Sequence, residues 1–86
     1  MKVVYGKQFL HSAELLPRHL QRKLDEFALL LEGDPFHPLL HTKPLVGELK
    51  GWFSFRITRD WRVIFYFIDE HTIQLLKVAH RKDIYR

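Results

Sequence analysis

Apolar and polar positions along the chain change their period as it runs, and each change marks a new element. Val3, Val4 and Tyr5 form a short apolar run ahead of Gly6, which reads as a first strand. From Lys7 to Leu16, the positions Phe9, Leu10, Ala13 and Leu16 form a helical stripe. Pro17 interrupts it and is best tolerated in the first turn of a new helix. Leu20, Leu24, Phe27 and Leu31 follow at spacings of four and three, with Arg18, Arg22, Lys23 and Glu26 on the other side. That spacing predicts an amphipathic helix. It should end in a left-handed Gly33 cap, with Pro35 enforcing the stop. Residues 34–47 hold three of the four prolines and read as an irregular loop. After Gly51 the period becomes two: Phe53, Phe55 and Ile57 alternate with Trp52, Ser54 and Arg56, the pattern of a half-buried strand. Thr58-Arg59-Asp60 makes a turn, and Trp61 to Ile68 is apolar enough for a central strand covered on both faces. Asp69-Glu70-His71 turns the chain again before a last strand, Thr72 to Val78. The remainder is polar and basic apart from Ile84 and Tyr85. The order is β-α-α-β-β-β: an α+β fold in which a helical hairpin packs on one face of a small, mostly antiparallel sheet, as one domain over residues 1–86.

Composition narrows the classes. Of 86 residues, 47% are hydrophobic, with seven Phe, three Tyr and two Trp, enough for a packed core and against intrinsic disorder. The chain has no cysteine, so neither disulfides nor thiolate metal sites stabilise it, which fits a reducing cytoplasm. No apolar run approaches the roughly 20 residues of a membrane span. The opening MKVVYGKQF holds no stretch suited to a secretory signal. A cytoplasmic protein without a membrane partner is expected. Residues 1–42 carry five acids and five Lys/Arg, whereas residues 43–86 carry nine Lys/Arg against five acids, so the whole +4 excess lies in the second half. A polyanionic partner is the first thing such a charge suggests.

The chemistry then has few places to reside. The glycines, at 6, 33, 47 and 51, form no phosphate loop, and Ser12 and Ser54 lack a nucleophile elbow. His37 and His41 are four apart, but Pro38 between them puts them in a loop without further ligands. No metal and no small-molecule cofactor is expected. What remains is a set of cations. Arg56 and Arg62 flank the 58–60 turn: a three-residue turn pairs them directly on one face, whereas a two-residue turn puts them on opposite faces. In a meander, His80, Arg81 and Lys82 return to the same neighbourhood, and Lys43 and Lys50 enter from the loop. The arginine fork suits paired phosphate oxygens, and histidine takes up and releases protons near neutrality. Singly, each residue has a plainer role: Arg62 can pair with Asp60 or Asp69, His80 can close a strand, and Tyr85 can plug the core. Together they point to phosphate binding.

The C-terminal half also resembles a family. The run from Pro44 to Ile57, PLVGELKGWFSFRI, is similar to the P-L-x-G-x-L-x-G-x-x-S-x-R-I stretch of RelE/ParE superfamily toxins. Arg62-Val63-Ile64-Phe65 is similar to the family's R-V-I-Y strand, and His80-Arg81-Lys82-Asp83-Ile84-Tyr85 to its H-R-x-D-I-Y ending. The helical hairpin ahead of them matches the family's layout. The resemblance implies the toxin of a type II toxin–antitoxin pair, neutralised by a cognate antitoxin. It further implies a ribosome-dependent endoribonuclease that cuts mRNA in the A site by metal-independent attack of the ribose 2′-OH, inhibiting translation. On that resemblance Arg62 and Arg81 stabilise the scissile phosphate, His80 is the acid or base, and Tyr85 orients or stacks on the nucleotide. Arg56, with Lys43, Lys50, Arg59 and Lys82, contacts RNA phosphates.

The chain departs from the pattern at one place. A YoeB-like branch sets a glutamate as general base just ahead of the P-L-x-G run, where this chain has Lys43. Asp60, Lys43 or the arginines alone are the alternatives for completing the site with His80. Two other functions fit the same fold: a ParE-like inhibitor of DNA gyrase acting by protein binding, and an inactive nucleic-acid-binding module.

Overall fold

The two apolar stripes of the N-terminal half each become a helix, and both helices lie against one face of a sheet. The computed structural model describes residues 1–84. In chain order its elements are β1 (Lys2–Tyr5), α1 (Lys7–Glu14), α2 (Arg18–Gly33), β2 (Lys43–Pro44), β3 (Phe53–Arg56), β4 (Trp61–Asp69) and β5 (Thr72–His80). Short 3-10 turns occupy Pro38–Leu40 and Gly47–Leu49. The strand order is β1-β5-β4-β3-β2, with β1 parallel to β5 and every other neighbouring pair antiparallel. A parallel pair needs a long crossover, and the helical hairpin is part of it.

The core forms between the helix stripes and the inward-facing residues of the strands. Phe9, Leu16, Leu20, Leu24 and Leu31 pack with Phe55, Val63, Phe65, Ile73 and Leu75, all buried. Each side chain of this size contributes about 1.5–3 kcal/mol by leaving water. At the end of β1, a Cβ on Gly6 would lie 2.6 Å from the Leu75 carbonyl oxygen, so only glycine lets the chain enter α1 so close to β5. The edge of β5 beyond β1 is met by α1, where the Ser12 hydroxyl accepts the Val78 N–H at 3.1 Å.

Four details differ from the pattern reading. The proline-rich loop contributes a fifth, two-residue strand, β2, confined to the sheet edge because Pro44 has no N–H to donate. Gly33 is helical and not left-handed; the chain leaves α2 through an extended Asp34, whose carboxylate accepts the Phe36 N–H at 2.9 Å. Ser54, expected on a solvated face, is buried, because a second cluster of Leu45, Ile64 and Ile84 covers the middle of that face. The last strand runs on to His80 and carries a bulge: Phe65 pairs with Leu75 and Ile64 with Lys77, leaving Leu76 as the extra residue.

Candidate active site on the open face of the sheet

The face of the sheet turned away from the helices is where the cations collect. Arg56 and Arg62 are direct cross-strand partners, as a three-residue turn requires. The Ile57 N–H donates to the Trp61 carbonyl at 3.0 Å, which makes that pair the hydrogen-bonded one and Arg56–Arg62 the next, non-hydrogen-bonded one. At such a pair the side chains come closest, with Cα atoms about 4.5 Å apart. Both arginines are half-buried. No carboxylate of a described residue lies within ion-pairing distance of either. Arg62 instead donates to the Arg59 carbonyl at 3.4 Å. Like charges directly opposite one another destabilise a sheet, and an anion between them removes the penalty. The pair is thus poised to accept a phosphate, whose charge and paired oxygens match two guanidinium forks.

Arg81 joins the same end of the sheet. Its N–H donates to the Asp60 carbonyl at 2.7 Å, and its Nε lies 3.4 Å from Asp60 Oδ1, both side chains being about half exposed. The Asp60 carboxylate is therefore turned to Arg81, fastening the β5 terminus to the β3–β4 turn. Lys43 pairs with Ser54 and so belongs to the open face, one row along from Arg56. Exposed Arg59 lines a cavity of about 350 Å³ with Lys23, His41 and Arg56 at the free edge of β3. Lys50 and Lys82 are exposed, and no described contact ties either side chain to the arginines.

His80 is not brought to that face. It pairs with Trp61, one residue out of step with Arg62 and Ala79, and its ring meets the Trp61 indole edge-on at 5.4 Å. Trp61 packs on the main core, so His80 stands at the helix side of the sheet end. Its Nδ1 accepts the Lys82 N–H at 3.2 Å, an arrangement that assigns the neutral ring's proton to Nε2. Acting through Nε2 as acid or base requires a proton on Nδ1, which breaks that bond. Tyr85 lies outside the described residues. His37 has a local role, its Nδ1 accepting the Leu39 N–H at 3.1 Å. The described residues hold no group of three or more His, Cys, Asp or Glu suited to a metal, and none of their helices is long and apolar enough to cross a membrane.

Pattern reading missed one member of the face. Lys77 is opposite Ile64 and shares its side of the sheet. Strict alternation from Ile73 and Leu75 would send Lys77 inward; the bulge reverses it and returns Val78 to the core. The signal was present as the change of apolar spacing from two to three between Ile73, Leu75 and Val78. Lys77 also lines a cavity of about 380 Å³ together with Glu48, Trp52 and Ile64.

No family model matches the chain. Toxin RelG of Mycobacterium tuberculosis is 42% identical over 73 residues, covering 83% of this chain and 79% of that protein. Among solved structures, the toxin–antitoxin complex RelBE2 of Mycobacterium tuberculosis contains a chain that superposes with a TM-score of 0.78 at 33% identity, covering 93% of this chain and 96% of that one. The archaeal RelE–RelB complex of Pyrococcus horikoshii OT3 gives a TM-score of 0.78 at 26% identity, covering 95% and 96%.

Proposed function

The chain belongs to the RelE/ParE superfamily of type II toxin–antitoxin toxins, and from that premise we propose that it is a ribosome-dependent endoribonuclease that cuts mRNA in the A site and so stops translation. Its partners are the ribosome with its mRNA and a cognate antitoxin that silences it. The observation that carries the reading is the half-buried Arg56–Arg62 pair, two cations directly opposite in the strand register with no described carboxylate paired to either. A gyrase inhibitor acting by protein contact has no need of an unneutralised phosphate cradle.

The reaction follows from what the cradle can stabilise. The ribose 2′-oxygen attacks the adjacent phosphorus, the bond to the 5′-oxygen breaks, and the products are a 2′,3′-cyclic phosphate and a free 5′-hydroxyl. One proton leaves the 2′-hydroxyl and one reaches the 5′-oxygen. Between these events the phosphorane carries an extra negative charge, which Arg56 and Arg62 meet directly and Arg81 meets from the strand end. Preorganised donors aimed at such charge are each worth about 10²–10³ in rate. His80 serves proton transfer only after releasing the Lys82 N–H, which costs about 1 kcal/mol. That penalty is small, but His80 stands beside Trp61 at the helix side of the sheet end, away from the arginines' face, so the arginines carry most of the rate and His80 the smaller part.

Programmed ribosomes with mRNA in the A site provide the test. The wild-type protein should yield fragments ending in 2′,3′-cyclic phosphate. Arg62→Ala should lose about a hundredfold or more, and His80→Ala distinctly less. Intact mRNA at every dose of wild-type protein would defeat the reading.

A further inference from the structure

The carbonyls of a turn have no ladder partner and must find one elsewhere. In the 58–60 turn two of them are taken by arginines of the site. The Arg59 carbonyl accepts Arg62 Nη2 at 3.4 Å, and the Asp60 carbonyl accepts the Arg81 N–H at 2.7 Å. The turn is held in shape from within. The Thr58 hydroxyl accepts the Asp60 N–H at 3.3 Å, and the Trp61 carbonyl accepts the Ile57 and Thr58 N–H groups at 3.0 and 3.4 Å. Asp60 then meets Arg81 a second time, its Oδ1 lying 3.4 Å from Nε. One turn residue thus holds both the backbone and the side chain of the arginine that follows β5.

We propose that Asp60 is a positioning residue, which aims the Arg81 guanidinium at the phosphate bound by Arg56 and Arg62. Its energetics favour that use over folding. An ion pair between side chains that are each about half exposed adds little to stability. What it removes is freedom: an arginine at the end of a strand samples many rotamers, and those excluded in advance are not lost again when the reacting group binds. With Nε engaged, the donors Arg81 presents to a phosphate are those of its two Nη groups, the end fork of the guanidinium. The turn that joins the strands of Arg56 and Arg62 therefore also sets the third arginine against them.

The kinetic arm of the test rests on the ribonuclease reading above; the other arm does not. On programmed ribosomes, Asp60→Asn keeps the backbone contacts and the shape of the side chain while removing its charge. It should lower kcat about tenfold at unchanged KM, because the donors remain and only their aim is lost, whereas Arg81→Ala should cost about a hundredfold or more. In the Arg81→Ala background, Asp60→Asn should have no further effect. An equal loss in that background overturns the proposal, since a general base acts whether or not Arg81 is present. A loss confined to KM, or none at all, overturns it as well. Side-chain nitrogen relaxation, measured by NMR on the purified protein, needs no cleavage. It compares the Arg81 Nε–H, identified by its loss in Arg81→Ala, with that of exposed Arg22. Arg81 should be the more ordered in the wild type and should fall to the level of Arg22 in Asp60→Asn. Equal mobility in the wild type, or order that survives the substitution, refutes the positioning. If the wild type fails to cut, the ribonuclease reading falls, and relaxation alone decides how Asp60 acts on Arg81.

Discussion

Replacing Arg62 by glutamine should leave the protein as stable as before while removing the ribonuclease activity proposed for it, because the arginine is placed against the interests of the fold. It stands directly opposite Arg56 in a non-hydrogen-bonded pair, with no described carboxylate to neutralise it. Direct cross-strand repulsion of this kind costs about 0.2–1 kcal/mol. What Arg62→Gln gives up is one long hydrogen bond to the Arg59 carbonyl, 3.4 Å, worth about 0.5 kcal/mol at a half-exposed position. The two nearly cancel, so the net change in unfolding free energy stays within about 0.5 kcal/mol of zero. A double-mutant cycle with Arg56→Gln isolates the repulsion: the coupling should be unfavourable, about 0.2–1 kcal/mol. Urea unfolding of the four proteins measures it at about 0.1 M and about 1 M salt, where the screening length falls from about 10 to about 3 Å. The coupling should shrink towards zero at the higher salt. A favourable coupling at low salt, or one indifferent to salt, would refute the claim that the two charges oppose each other.

Three further outcomes follow from the fold. Gly6→Ala drives a Cβ to 2.6 Å from the Leu75 carbonyl oxygen and should cost about 1–3 kcal/mol in urea unfolding, by parting β1 from β5. Ser12→Ala leaves the Val78 N–H without its acceptor and should cost about 1 kcal/mol by the same measurement, with the far-ultraviolet spectrum unchanged. Asp69 has its pKa lowered, first by the His71 N–H its carboxylate accepts at 2.8 Å and then by the Thr72 side chain. A depressed carboxylate contributes stability above its unfolded pKa, about 3.9, that is lost as pH falls through the lower folded value. Asp69→Asn should therefore flatten the acid limb of the stability–pH curve below about pH 4 and leave its neutral region unchanged in slope.

Residue patterns carried the fold where burial is one-sided or complete. The α2 stripe and the apolar run of β4 follow from periods that one register satisfies, whereas the two turns open to Arg56 and Arg62 are separated only by the fold, which takes the three-residue one. What the pattern could not carry depends on parity. The β4–β5 ladder shifts register twice, at Ile64/Phe65 and at Phe67/Asp69, and each shift reverses which side chains look inward. Hence Lys77 reaches the open face and His80 stands beside Trp61, neither of which a strict alternation specifies. β2 escaped because two residues, one of them proline, have no period to read. The cavity escaped because Gln8, Glu48 and Trp52 meet only through the folded loop and the start of α1. Tyr85, outside the described residues, stands on resemblance alone.

The pairing of β1 with β5 has a bearing on time. It joins Lys2 to Thr72 and Tyr5 to Leu75, so the first strand has no partner until nearly all the chain has been made. The β3–β4–β5 meander closes through short turns and needs little loop entropy, whereas β1 must wait for a closure spanning the helical hairpin. Folding should therefore begin on the strands that carry the arginines and end with the N-terminal strand docking at Gly6. Substitutions in β4 should slow refolding, and those in β1 should chiefly speed unfolding. The Arg56–Arg62 pair should be the oldest part of each newly folded molecule, and the N-terminal strand its last fastening.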